Sequence, residues 1–362
     1  MNGRRLVQLA LCYAVASAAG YLFDLLGLPL PWMIGPLIAT ALIGLAVKPI
    51  DIPKKTRPVG QVAVSAHVGL YFNAAALAAI LDHGLVILGV ALATAAIGFL
   101  MSGVLRRMTG TDPVTAFLAS MPGGPVEMGN LAVQYGGDPG PVVFAQTLRI
   151  SAIVIFVPAA LYYLLHETRG QLDDAAVALD FTGMALLIAG AVGSALLFRA
   201  CRISNPFFLG PLAFSCVGTV LDMPLAPLPH EAVSAAQVLL GTWLGSTFRR
   251  ELFLNAGRLV VATAITSLLL VVLCTVFAAS LALVTDFPWE ILVLGAAPGS
   301  VTEMSLTARF LHEDVALITA FHLVRIFLII PTTPFMLALV HKRAALPPPA
   351  SKRKKEREQD YD

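Results

Sequence analysis

Part of this chain is written twice. Pro31-Trp-Met-Ile-Gly35-Pro36-Leu37 returns 175 residues later as Pro206-Phe-Phe-Leu-Gly210-Pro211-Leu212, after which the offset settles at 176. Gln61, Gly69 and Phe72 correspond to Gln237, Gly245 and Phe248. Met121-Pro122-Gly123-Gly124-Pro125-Val126-Glu127-Met128 corresponds to Ala297-Pro298-Gly299-Ser300-Val301-Thr302-Glu303-Met304, Arg149-Ile150 to Arg325-Ile326, and Pro158 to Pro334. Self-similarity at one long period is the mark of one structural unit made twice. The chain therefore divides into a first repeat at 1–165, a connector at 166–180, a second repeat at 181–342 and a basic tail at 343–362.

The medium in which this doubled unit folds follows from its charges. Only 13% of the residues are charged and 57% are hydrophobic, with a mean hydropathy of +0.81, whereas soluble domains run near about 25% charged. Inside the long apolar stretches only Asp24, Glu127, Arg149, Glu303 and Arg325 carry charge. An unpaired charge at the bilayer centre costs at least about 2.5–3.5 kcal/mol, so this segregation describes an all-α polytopic membrane protein. Secreted and nucleic-acid-binding globular classes are excluded, and the partner surface is the lipid bilayer, in which a homo-oligomer is allowed. Stretches suited to spanning read as 6–28, 31–47, 59–81, 84–105 and 141–165, then 181–198, 206–221, 232–248, 259–285 and 315–340, five in each repeat. Cys12, Cys201, Cys216 and Cys274 lack CxxC spacing and histidine neighbours, so they read as packing residues rather than metal ligands or disulfides. The tail cluster Lys352-Arg353-Lys354-Lys355, after Pro347-Pro348-Pro349, reads as a disordered cytoplasmic end.

Loop charges set the orientation of the repeats. In the first, basic residues flank 1–5, 48–57 and 106–107, and the ends near 29 and 82 have none. In the second, Arg199, Arg202, Arg249, Arg250 and Arg258 occupy the equivalents of the bare ends, and the equivalents of the basic loops carry Asp222, Glu231, Asp286 and Glu290. The positive-inside rule then inserts the halves with opposite orientation, with both termini cytoplasmic in a bacterial inner membrane. Opposite insertion requires an odd number of crossings per half. Five full crossings plus a re-entrant or broken segment at 113–135 and at 288–311 satisfy it, whereas a parallel six-plus-six arrangement puts three basic loops outside.

Those two segments carry the candidate site. Proline removes a backbone donor and adjacent glycines loosen the chain, so Pro122-Gly123-Gly124 and Pro298-Gly299-Ser300 interrupt helices. Broken backbone at membrane depth survives only where protein or a water-filled cavity covers it, and its freed ends become ligands for an ion or polar solute. Glu127 and Glu303 follow the breaks by about one turn, and Arg149 and Arg325 each lie 22 residues further on, so a Glu–Arg pair is expected in each half. Asn130, Gln146, Ser300, Thr302, Ser305 and His322 supply neutral groups nearby. His322, the equivalent of Gln146, is either a proton relay or a hydrogen-bonded core histidine. Gly35-Pro36 and Gly210-Pro211 mark tight packing or a kink.

These paired motifs resemble the AbrB family of bacterial inner-membrane proteins, which has a duplicated hydrophobic unit; the resemblance covers about residues 5–342. Members are labelled ammonia monooxygenase or regulator of aidB expression. The family is grouped loosely with cation/proton antiporters and bile-acid-type symporters, which implies inverted repeats and crossed broken helices. In those relatives the broken segments are full crossings, which implies that one other apolar stretch per half does not cross. Together with the residues this leads to a secondary transporter of a small polar or anionic solute, coupled to a proton or cation, without a cofactor. The alternatives are a membrane sensor of gene expression and, with less support, an oxygenase, since the seven histidines are scattered. No GxxxxGK[ST] motif is present for an ATP-driven pump.

Overall fold

The computed structural model describes residues 3–46, 51–53, 55–164, 180–248, 250 and 257–344. The basic tail beyond Ala344 and most of the acidic connector, about which the sequence makes its disorder and sidedness predictions, lie outside these residues. Every regular element among the described residues is a helix. In chain order they are α1 (Gly3–Leu25), α2 (Pro31–Ala46), α3 (Thr56–Gly69), α4 (Ala74–Asp82), α5 (Gly84–Thr109), α6 (Pro113–Ser120), α7 (Pro125–Tyr135) and α8 (Pro139–Leu164). There follow α9 (Phe181–Ala200), α10 (Pro206–Val220), α11 (His230–Gly245), α12 (Gly257–Ala282), α13 (Trp289–Ala296), α14 (Val301–Phe310) and α15 (Val315–Ala344). Six of them, α1, α5, α8, α9, α12 and α15, are long and apolar enough to cross a membrane.

One predicted span is not continuous. The stretch 59–81 is divided at residues 70–73 into α3 and α4, which are bent by 88°. Asn73 sets the break: its side chain accepts from the Ala76 amide at 2.9 Å and starts a new helix. Hydropathy misses this, because one capping residue outweighs the apolar letters around it only through its hydrogen bond. The six long helices fall on predicted spans within a few residues, whereas 31–47, 206–221 and 232–248 are occupied by α2, α10 and α11, helices of 16, 15 and 16 residues that are shorter than those six.

The helices form two compact units, and neither coincides with one repeat. The first draws on Met1–His83, Val154–Glu251 and Thr302–Thr319, the second on Gly84–Ile153, Leu252–Val301 and Ala320–Asp362. Each therefore combines helices from both halves of the sequence.

Within the first unit the packing is reciprocal. A Cβ on Gly35 of α2 would stand 2.7 Å from the Ala19 carbonyl oxygen of α1, and one on Gly210 of α10 would stand 2.6 Å from the Ser194 carbonyl oxygen of α9. The equivalents Gly69 and Gly245 approach across the repeats instead, Gly69 of α3 against Leu212 and Ser215 of α10, and Gly245 of α11 against the Leu37 carbonyl of α2. Small residues let backbones come this close, and without a water-driven hydrophobic force such contact is what holds membrane helices together. The Gly-Pro motifs are thus packing devices.

The second unit holds the interrupted helices. Asp112 caps α6 by accepting from the Thr115 amide at 2.9 Å, and Pro113 opens the helix where its missing donor is harmless. The helix stops after eight residues as Met121 turns extended (φ −62°, ψ 134°), and α7 restarts at Pro125 and ends on Gly136 in the left-handed conformation (φ 80°). From there the chain returns to where it began: the Asp138 amide donates to the Thr115 hydroxyl at 2.7 Å. The segment 113–138 is a helical hairpin with the Pro-Gly break at its tip. Phe117, Leu118, Met121, Met128 and Ala132 from the hairpin form a buried core with Leu105 of α5, Ala262 of α12 and Ile329 and Leu337 of α15.

Candidate functional site

Height along the helices decides what meets the break. Residue 149 is ten residues into α8, about 15 Å along its axis, and the tip of the hairpin lies about 12 Å above the start of α6. Because α7 returns to the level of Thr115 before α8 starts, these two rises are measured from the same level. The second half repeats the spacing, with α13 eight residues long and Arg325 ten residues into α15.

Arg149 is 2% exposed and Arg325 3%, and their hydrogen bonds run to backbone carbonyls. Arg149 Nε donates to the Pro298 oxygen at 3.1 Å; its Nη1 donates to Ser120 and Met121, each at 3.3 Å; and its Nη2 donates to Gly123 at 3.5 Å and to Gln146 Oε1 at 2.5 Å. Arg325 donates to Ala297 at 2.7 Å and to Gly299 at 2.6 Å. The last carbonyls of a helix lack intrahelical partners and carry the negative end of its dipole. Each arginine is therefore the cap of a broken helix's C-terminal end, and Arg149, by reaching Pro298, also ties the two breaks together.

This corrects the expected Glu127–Arg149 pair. Among the described residues Glu127 forms no ion pair or hydrogen bond with Arg149, because the guanidinium's donors are taken by the orphaned carbonyls. Glu127 is half-buried as the third residue of α7, and its Oε2 is buried without a hydrogen-bond partner among those residues. The carboxylate folds back over Gly124, occupying the place where a Cβ would stand. It thus lies at the positive N-terminal end of α7, where the dipole favours negative charge.

Gln146 and His322, the matched pair of the repeat, play one role with different chemistry. Gln146 Nε2 donates to the Leu118 and Met121 oxygens at 2.7 and 2.8 Å while its Oε1 accepts from Arg149. His322 Nε2 lies 3.0 Å from the Leu294 oxygen, and its Nδ1 2.8 Å from Arg325 Nη2. A carbonyl can only accept and a guanidinium can only donate, so the ring is neutral with its proton on Nε2. With both nitrogens occupied, His322 is the hydrogen-bonded core histidine. His322→Gln is expected to stay near the parent's thermal midpoint, whereas His322→Leu orphans the Leu294 oxygen and one Arg325 donor, a loss of about 2–5 kcal/mol. Equal midpoints for the two variants in detergent would contradict this assignment.

The other predicted residues divide. Gly123 and Gly299 contribute carbonyls to the arginines, and Gly124 caps α7. Ser300 lies in the second break. Asn130 is exposed and outside the cluster. Thr302 and Glu303, 2% and 9% exposed, open α14 and fall in the first compact unit. There the Ser305 hydroxyl bonds Thr319 at 2.7 Å. The acceptors missed from sequence, at Leu118, Ser120, Leu294 and Ala297, are backbone atoms that residue type does not reveal. Ser120 and Ala297 meet the arginine, and Leu118 and Leu294 meet the residue three before it, Gln146 or His322.

Six helices of spanning length, with further helices interrupted at Pro-Gly breaks, define an all-α polytopic membrane protein. The chain belongs to the AbrB family: residues 5–341 match the family model described as transition state regulatory protein AbrB. It is 26% identical over 356 residues to the uncharacterized protein YhjN of Bacillus subtilis (strain 168), covering 91% of this chain and 92% of that relative. It is 24% identical over 336 residues to a protein named as a regulator, AbrB, of Escherichia coli (strain K12), covering 88% and 93%. No solved structure matches the chain.

Proposed function

We propose that this protein is a secondary transporter of a small polar or anionic solute, coupled to a proton or cation taken up at Glu127. The observation that carries the proposal is the partnerless Glu127 oxygen, held over Gly124 at the N-terminal end of a half-helix. About 12–15 Å of helix separates this level from the hairpin's base, which is half of a bilayer core of about 30 Å. The Arg149 guanidinium bonds main-chain carbonyls and Gln146 through all three of its nitrogens, which makes it part of the frame of the site and leaves the carboxylate as its exchanging group. Glu303 stands at the corresponding position of α14 and is proposed as its counterpart.

In this arrangement the hairpin 113–138 is re-entrant, the repeats insert with opposite orientation and both termini are cytoplasmic. Cysteines placed at 106–110 and at 282–286 are then labelled from opposite faces of the inner membrane; labelling from one face overturns the inversion. For transport, the test is proton flux and solute uptake in proteoliposomes. Glu127→Gln is expected to abolish the pH dependence of flux, because an amide cannot exchange a proton. Unchanged pH-dependent flux in both Glu127→Gln and Glu303→Gln rejects carboxylate coupling.

A second reading, a membrane sensor that alters gene expression, is favoured by the name of the Escherichia coli relative. Deleting 346–362 separates the two: lost regulation with intact transport supports the sensor.

A further inference from the structure

The first compact unit contains a cleft of about 480 Å³ that shares no residue with the Glu127 site. It is formed where α3 meets the end of α10, and its walls combine apolar side chains, including Leu70 and Leu225, with His67, Tyr71, Thr219 and Asp222. Three features suggest that it is built for a ligand.

His67 is 6% exposed, yet its Nδ1 has no hydrogen-bond partner among the described residues. A buried polar atom left without a partner costs about 1–3 kcal/mol, so in a native structure it calls for an explanation. Packing alone does not supply one, since an apolar side chain would fill the same wall. Tyr71, four residues further on in the turn that follows α3, stands edge-on to the imidazole at 6.0 Å between ring centres.

Asp222 violates two local rules at once. Helix α10 ends in a Schellman motif, with the Met223 amide bonded to the Gly218 oxygen at 2.8 Å and the Asp222 amide to Thr219 at 3.2 Å. Asp222 occupies its left-handed position (φ 52°), where glycine is the usual residue. It also puts a carboxylate at the negative end of a helix dipole, where a cation is favoured. Departures of this kind concentrate at functional sites, and a positive group bound at Asp222 relieves the second of them.

The lining carries groups that suit opposite charges. Asp222 contributes a carboxylate. His67 lies within the electrostatic influence of the Arg309 cation of α14, which disfavours a bare cation beside it and favours an anionic group able to accept from the imidazole. The Thr219 hydroxyl already donates to the Ser215 oxygen at 2.8 Å and so offers only acceptor capacity, which matches a donor. The apolar wall accommodates a short aliphatic chain, and the volume falls in the ordinary range for small-ligand pockets, about 300–1,000 Å³.

We infer that this cleft binds a small zwitterion of the amino-acid type, with its ammonium at Asp222, its carboxylate toward His67 and its aliphatic side chain against Leu70 and Leu225. The probe is leucine, titrated calorimetrically into the purified full chain alongside 3-methylbutylamine and 4-methylpentanoate, which are leucine without its carboxylate and without its amine. Saturable leucine binding is expected, with either stripped analogue at least about tenfold weaker, since each loses a hydrogen bond to a charged group. Asp222→Asn, which keeps a residue tolerant of the left-handed turn, is expected to weaken leucine about tenfold or more. His67→Gln provides a second variant that weakens leucine through its carboxylate. Absence of saturable leucine binding at millimolar concentration overturns the inference, as does amine binding equal to leucine or an unchanged affinity in Asp222→Asn. Glu127→Gln is expected to bind leucine normally, so failure of transport coupling and failure of this site register separately.

Discussion

Arg149→Ala is expected to yield almost no folded protein. The guanidinium supplies donors to the Ser120, Gly123 and Pro298 oxygens and to Gln146 Oε1, and its bonds to Ser120, Pro298 and Gln146 are buried. Met121 keeps a second donor in Gln146, but the others lose the one that the arginine provides. At about 1–3 kcal/mol for each buried acceptor left without a partner, the loss is about 4 kcal/mol or more, against a total folding stability of about 5–15 kcal/mol. Arg149→Lys is expected to recover little, since a compact ammonium on a flexible stem does not span two breaks as a planar five-donor fork does. Arg325→Ala should be milder, because its carbonyl bonds stay within its own break, at Ala297 and Gly299. Size-exclusion profiles and thermal midpoints of detergent extracts measure this ranking. A parent-like midpoint for Arg149→Ala, or a lower one for Arg325→Ala, would show that the arginines do not cap the breaks as described.

The expected Glu127–Arg149 pair and the observed Arg149–carbonyl cap differ for a reason that sets the limit of the sequence. Pro122-Gly123-Gly124 announces that a helix stops, and Arg149 and Arg325 announce that a buried cation must be satisfied. Residue letters, however, display only side chains, and the nearest visible counter-charges were Glu127 and Glu303. The true acceptors at Arg149 are main-chain oxygens that every residue possesses. Only the hairpin closure between Thr115 and Asp138, 23 residues apart, brings them to the level of Arg149. The match of Gln146 with His322 was likewise visible as a position, but not as a role until both were seen bonding an arginine and a helix end. The break within 59–81 was hidden for the opposite reason, because Asn73 is one polar letter in an apolar run. What the letters did carry was the duplication, the breaks and the glycines of close approach, since these depend on residue types that have few substitutes.

Gly124→Ala is expected to reduce pH-dependent flux about a hundredfold while leaving the fold intact, a separation that Arg149 variants cannot provide. Gly124 has ordinary backbone angles (φ −81°, ψ 146°) that alanine adopts without strain. Glycine is required there for another reason: the Glu127 carboxylate occupies the position that a Cβ would take. One methyl group therefore pushes the carboxylate off the N-terminal end of α7 by about an ångström or more, and misplacement on that scale commonly costs about 10²-fold in a positioned reaction. The second repeat shows that a side chain at this position is compatible with a break, for Ser300 stands there naturally. Gly124→Ser would accordingly make the first break resemble the second and is expected to fold as well as the alanine variant. Parallel measurement of thermal midpoint and proton flux is decisive. Parent-like flux in Gly124→Ala, at a parent-like midpoint, would mean that the placement of Glu127 over Gly124 is not what couples the carboxylate to transport.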